Sequence, residues 1–243
     1  MRSQDLAIPE RALAIGAHPD DIELHAGATL AKWSALGCEV SLLVCTDGSK
    51  GTWDPQANLK ELVAQRQAEQ QESANRLGVG GEVIFLGWVD GELDSGAQAC
   101  GQVAAHIRRL RPNVVIGHDP WRRWRLHPDH RHAGWLTTNA IVAARDPHFL
   151  PKLDLPPHRP DTLLLFEADE PDHAETTTGY DTIKTWALQA FVSQYKTTLG
   201  LPTTPSDNDL AGLKQRVAEE LAQQGTTAGL PSAELFKLID CLS

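Results

Sequence analysis

Apolar residues in this chain come as short, nearly continuous blocks, separated by stretches in which they recur at helical spacing. The blocks are residues 12–17 (ALAIGA), 39–45 (EVSLLVC), 82–88 (EVIFLGW), 113–118 (NVVIGH) and 162–167 (TLLLFE). A strand with no polar alternation must be covered on both faces, so each block predicts a strand inside a helix-covered sheet. The intervening stretches predict helices over 23–36, 58–77, 98–110 and 129–145. Gly37 stops the first, Asn58 caps the second and Gly78 stands near its end, and Pro112 follows the third. Strand–helix alternation of this kind predicts an α/β fold: a Rossmann-like three-layer sandwich on a mostly parallel sheet, with strand order 3-2-1-4-5.

Beyond this core the pattern changes. A Pro-rich stretch covers 147–160, and helices are expected over 182–195, 209–223 and, briefly, 232–238. No repeat or low-complexity tail is visible. Residues 1–243 read as a single domain, with a core over 10–168 and a C-terminal elaboration over 169–243.

The doubly wound order makes the first and fourth strands neighbours, and the crevice at their carboxyl ends is the usual ligand site. The first strand leads into His18-Pro19-Asp20-Asp21, and the fourth is followed by His127-Pro128-Asp129-His130. The two strings therefore lie on opposite lips of one crevice. Two His and one Asp make a three-ligand metal site that leaves a position for water. The donor mixture suits Zn2+, with Fe2+ as the alternative. Spare carboxylates can take the water's proton, and a spare imidazole can face the developing oxyanion. The residues alone leave open which of Asp20 and Asp21 ligates, and which of His127 and His130. Pro-Asp is also an ordinary turn and cap dipeptide, so it is the repetition of the string that carries the argument.

Composition narrows the field. With 243 residues, a net charge of −10 and a pI near 5.4, the chain does not read as a general nucleic-acid binder. No apolar run approaches the roughly 20 residues that span a bilayer. The opening MRSQDLAIPE has no apolar signal core, so a cytoplasmic location is expected. Cys38, Cys45, Cys100 and Cys241 form no C-x-x-C pair and read as reduced thiols. No G-x-G-x-x-G follows the first strand, which argues against a dinucleotide oxidoreductase. Just before the second string, Arg122 and Arg123 are candidates for an anionic substrate group, and Trp124 for stacking on a sugar ring. A solvated loop anchored by tryptophan is the plain alternative.

AHPDDIELHAG at 17–27 together with HPDHR at 127–131 resembles the PIG-L/LmbE family of metal-dependent de-N-acetylases. Similar features run through the chain: Thr46-Asp47-Gly48, Arg66 and Glu69, Arg76-Leu77-Gly78-Val79, Lys184 with Ala187-Leu188 and Ser193-Gln194, and Ala233-Glu234-Leu235-Phe236. The resemblance implies His18, Asp21 and His130 as metal ligands and Asp20 as general base. It implies His127 as the group that stabilises the oxyanion or protonates the amine, Asp129 as its orienting partner, and Arg66 as a substrate contact. Two departures stand out. Ile22 separates Asp21 from Glu23 where the family often has Asp-Asp-Glu, and Phe191 stands where it usually has His. The implied reaction is zinc-dependent hydrolysis of a linear amide, the acetamide of an N-acetylglucosamine conjugate or related small molecule. A metal-dependent hydrolase of another bond, such as an ester, and a noncatalytic metal- or sugar-binding relative are the competing readings. A homo-oligomer is compatible with the sequence.

Overall fold

The computed structural model describes residues 1–241. In chain order the elements are β1 (Ser3–Gln4), β2 (Arg11–Gly16), α1 (Asp21–Ala35), β3 (Glu39–Thr46), α2 (Leu59–Leu77), β4 (Val83–Trp88), α3 (Ala97–Leu110), β5 (Val114–His118), α4 (Pro128–Arg145), β6 (Thr162–Phe166), β7 (His173–Thr176), α5 (Asp181–Leu188), α6 (Asp207–Ala228) and β8 (Ala233–Asp240). A single 3-10 turn at Val192–Gln194 follows α5. One eight-stranded sheet runs β4-β3-β2-β5-β6-β8-β7-β1. Its first five strands are parallel and have the expected 3-2-1-4-5 order.

Alternate residues of the central strands feed two cores, which is what makes the sandwich three layers. Leu13 and Ile15 join Leu43, Val115 and Leu165 under α3 and α4. Ala12 and Ala14 join Leu42, Ile116 and Phe166 under α1, against Ile22, Leu30 and Trp33. Each large aliphatic side chain so buried stabilises the fold by roughly 1.5–3 kcal/mol. A third cluster, with Leu188 of α5 and Leu213, Val217 and Leu221 of α6, packs on Leu24 and Ala28, the outer side of α1. The elaboration thereby buries α1 all round.

Three expectations in the elaboration change. The short helix expected at 232–238 is the strand β8, antiparallel to β6 and β7. Without it β6 would be an edge strand, and its unpaired backbone groups outweigh the weak local preference of AELFKLID. Period-two spacing then places Phe236 and Leu238 in the core under α1, while Ile239 faces the opposite core. The helix expected at 182–195 stops at Leu188, because Phe191 turns into the interior and the Ser193 N–H and hydroxyl both donate to Glu69 (2.8 and 2.5 Å). Helix α6 runs from a Ser206–Asp209 capping box to Gly229, longer than the 209–223 expected.

The elaboration also grips α1 through a buried ion pair. Lys184 Nζ donates to Glu234 Oε1 and to the Leu24 carbonyl, both at 2.7 Å. Glu234 in turn accepts from Ala28 N–H (3.0 Å) and Thr29 N–H (2.7 Å). The two backbone groups that a regular helix would pair with each other, Leu24 C=O and Ala28 N–H, thus both bond to this pair. A Cβ at Gly27 would lie 3.3 Å from Lys184 Cγ, so glycine lets the lysine stem approach.

Candidate metal centre and active site

Strands β2 and β5 pair side by side, Ala12 with Val114 and Ala14 with Ile116, so their carboxyl ends open into one crevice. The chain leaving β2 turns sharply at Asp20, whose backbone lies in the left-handed region (φ 98°) before α1 begins. An L-residue adopts this at a cost of order 1 kcal/mol, and Asp tolerates it better than most. Across the crevice, Pro128 opens α4, and Asp129 and His130 fall in its first turn.

Donors from the two strings meet. His18 Nδ1 lies 3.2 Å from His130 Nε2; Asp21 Oδ2 lies 3.4 Å from the first of these nitrogens and Asp21 Oδ1 3.4 Å from the second. Ligands about 2.0–2.1 Å from a tetrahedral zinc stand roughly 3.3 Å apart, so the spacing and the donor types fit a divalent ion. One nitrogen each of His18, His127 and His130 also gather within 4.8 Å, as do donors of Asp21, His118 and His130, and of His18, Asp90 and Asp129. The outer nitrogen of His18 faces carboxylates: Nε2 is 3.1 Å from Asp129 Oδ2 and 3.3 Å from Asp90 Oδ1. That arrangement turns the lone pair of Nδ1 inward.

Asp20 lies beside this cluster. Burial pushes its carboxyl up to about 7, against the pull of Arg66 and with a further push from Asp21. Arg66 is 3% exposed; it reaches Asp20 Oδ2 at 3.4 Å and donates to the carbonyls of Pro19 (2.6 Å) and Gly48 (2.8 Å). A Cβ on Gly51 would come within 2.2 Å of its guanidinium, so any side chain there would displace Arg66 from the loop after β3. His127 sits farther out; burial and the neighbouring His18 and His130 lower its pKa.

A cavity of about 590 Å³ joins these groups. Its lining includes His18, Asp20, Asp21, Arg66, His127 and His130. The other expected contacts lie elsewhere. Arg122 pairs with Glu167 on a neighbouring cavity of about 350 Å³. Arg123 is held through its backbone N–H by Asp169 (2.7 Å) and lines a separate depression. Trp124 is 87% exposed and outside the lining. Arg125, next in the chain, lines the cavity. Asp129 Oδ2 lies against His18 and accepts from Gly91 N–H (2.6 Å), while Oδ1 is buried without a hydrogen-bond partner among the described residues.

Asp90 and Glu167 are not among the residues that the sequence singles out. Asp90, His118 and Glu167 stand at or just beyond the ends of β4, β5 and β6, so a polar residue ending an apolar run was the available signal. Glu167, in the left-handed region (φ 60°), accepts from Arg125 at 3.0 Å and lies 3.2 Å from His118 Nδ1. Burial alone would raise its pKa, but His118, His130 and His25 hold the carboxyl well below the usual range. Cys45, at the end of β3, is fully buried and pushed above the ordinary thiol range, which suits a core residue.

Comparison with known proteins gives a consistent result. A family profile described as GlcNAc-PI de-N-acetylase (PIG-L) matches residues 13–141, a span that includes both strings. Diacetylchitobiose deacetylase from Thermococcus kodakarensis is 32% identical over 189 residues, covering 76% of this chain and 70% of that one. The 1D-myo-inositol 2-acetamido-2-deoxy-α-D-glucopyranoside deacetylase of Streptomyces avermitilis is 31% identical over 170 residues, with coverage of 60% here and 58% there. The match thus spans little more than half the length of that relative. The solved structure of N,N'-diacetylchitobiose deacetylase from Pyrococcus horikoshii superposes with a TM-score of 0.84 at 27% identity, covering 96% of this chain and 85% of that one. With a profile match over more than half its length and a relative 32% identical across three quarters of it, the chain belongs to the GlcNAc-PI de-N-acetylase (PIG-L) family.

Proposed function

We propose that this protein is a metal-dependent hydrolase that removes the acetyl group from an N-acetylglucosamine conjugate. The observation that carries the reading is the meeting of His18 Nδ1, His130 Nε2 and the Asp21 carboxylate at 3.2–3.4 Å, with Asp20 beside them. Zinc is the ion that this donor set suits, and His18, Asp21 and His130 would hold it. When bound, it supplies Lewis acidity toward the acetamide carbonyl and makes water acidic enough to deprotonate near neutral pH.

The protein's own groups do the rest. Asp20 is buried, and Arg66 restrains it on one side. It takes a proton from the attacking water and returns it to the departing amine. His127, exposed at the cavity wall, meets the carbonyl as a neutral imidazole whose N–H donates to the developing oxyanion. Asp129 keeps His18 turned toward the ligand position, and its unpartnered Oδ1 is available to the ring of His127. Arg66 acts on the base and the surrounding loop rather than on substrate.

Incubation with N-acetylated amino-sugar conjugates, with acetate release followed with and without a chelator, tests the proposal. Chelator-sensitive release together with near-stoichiometric bound zinc is expected. Activity undiminished after complete removal of divalent ions would overturn it.

A further inference from the structure

Most side chains lining the cavity are charged or hydrogen-bonding, and the apolar ones among them are Leu24, Pro128 and Trp53. Trp53 is the large one, and it is 78% exposed. The His18 and Asp21 side chains at the bottom are only 8% and 5% exposed. A ligand whose acetamide reaches those groups has the rest of its length among the exposed lining residues, Trp53 included.

The loop that carries Trp53 is held at several points. Arg66 donates to the Gly48 carbonyl (2.8 Å), and Gln194 Nε2 to the Gly51 carbonyl (3.0 Å). Lys50 N–H donates to Asp90 Oδ2 (3.0 Å). These anchors come from α2, the 3-10 turn and the loop after β4, and they end two residues before the tryptophan. Trp121 and Trp124 are also exposed, yet neither lines the cavity.

We infer that Trp53 is the platform for the second sugar ring of the substrate, the ring joined to the amino sugar whose acetamide is cleaved. This rests on the deacetylase reading of the site. A pyranose has an apolar C–H face and a rim of hydroxyls. The face stacks on an indole, whose π surface is electron-rich, while the rim meets Lys50, Thr52 and Arg125 around the mouth. A volume near 590 Å³ is in the range of cavities that bury a drug-sized ligand, more room than one acetamide needs.

The test is calorimetric titration of zinc-loaded Asp20→Asn protein, which does not consume the ligand, with N-acetylglucosamine and with N,N'-diacetylchitobiose. The disaccharide is expected to bind about tenfold more tightly, a stacking-sized gain. Trp53→Ala in the same background removes that preference and leaves monosaccharide binding within about twofold, while Trp53→Phe keeps most of it. An unchanged preference in Trp53→Ala overturns the inference, as does a parent that binds both sugars equally or binds neither. Acetate release by the otherwise unaltered enzyme reports separately on the deacetylase reading: release without a disaccharide preference removes only the role of Trp53.

Discussion

Replacing Lys184 by Met keeps the unbranched stem and deletes the buried charge. Lys184 is 1% exposed and Glu234 fully buried, so water cannot stand in for the lost ammonium. Glu234 would keep Ala28 N–H and Thr29 N–H but become an unpaired carboxylate, and the Leu24 carbonyl would lose a donor. Removing one partner of a buried pair costs about 3–5 kcal/mol, and the two remaining amides favour the lower end. Over 243 residues an unfolding entropy of about 2.1 cal/mol/K per residue gives roughly 0.5 kcal/mol/K, so the melting temperature should fall by about 6 °C. Glu234→Gln should also destabilise the unaltered protein. In the Lys184→Met background its effect should reverse, because the glutamine oxygen still accepts a backbone N–H and no charge is left unpaired. Urea titration of the metal-saturated proteins measures both effects, and unchanged m-values would show that the unfolding transition is the same one. A cost below about 1 kcal/mol for Lys184→Met, or simple additivity of the two substitutions, would refute the assignment of this pair as the clamp on α1.

Asp20→Asn should lower kcat/KM by about 10²–10⁴ while the protein keeps its fold and its metal, since Asn also tolerates the left-handed backbone. Acetate release and metal analysis check this, and full activity would remove Asp20 from the role of base. Zinc at about 100 times its Kd should raise stability by about 2.7 kcal/mol, roughly 5 °C, over chelator-treated protein. Superimposable melting curves would contradict a site at His18, Asp21 and His130. Glu175 accepts from Lys32 (2.6 Å) and Trp33 (3.2 Å); burial opposes its charge, but His173 and Lys32 hold its pKa below the ordinary value. Its contribution is therefore present above the unfolded pKa near 4.5 and lost as pH falls through the lower folded value. Glu175→Gln should be destabilised by at least about 2 kcal/mol at pH 7, with the gap closing in acid. A gap that stays constant down to pH 3 would show that the charge is not what matters there.

The sequence alone determined the core sandwich and its strand order. Buried parallel strands must be apolar on both faces, and so they announce themselves as runs. It also located the two strings, because the topological switch between β2 and β5 brings their carboxyl ends together in any doubly wound sheet. Tertiary structure decided what depends on contacts between distant segments. It made 233–240 a strand, because β6 needed a partner for its backbone. It turned Asp129 toward His18, and it brought Asp90 and Glu167 into the site. It put Arg123 and Trp124 outside the cavity and Trp53 in its lining. Periodicity reports which face of an element is buried. It carries no information about where a loop side chain points, since that direction is set by anchors such as Arg66 and Gln194, whose partners lie far away in the chain.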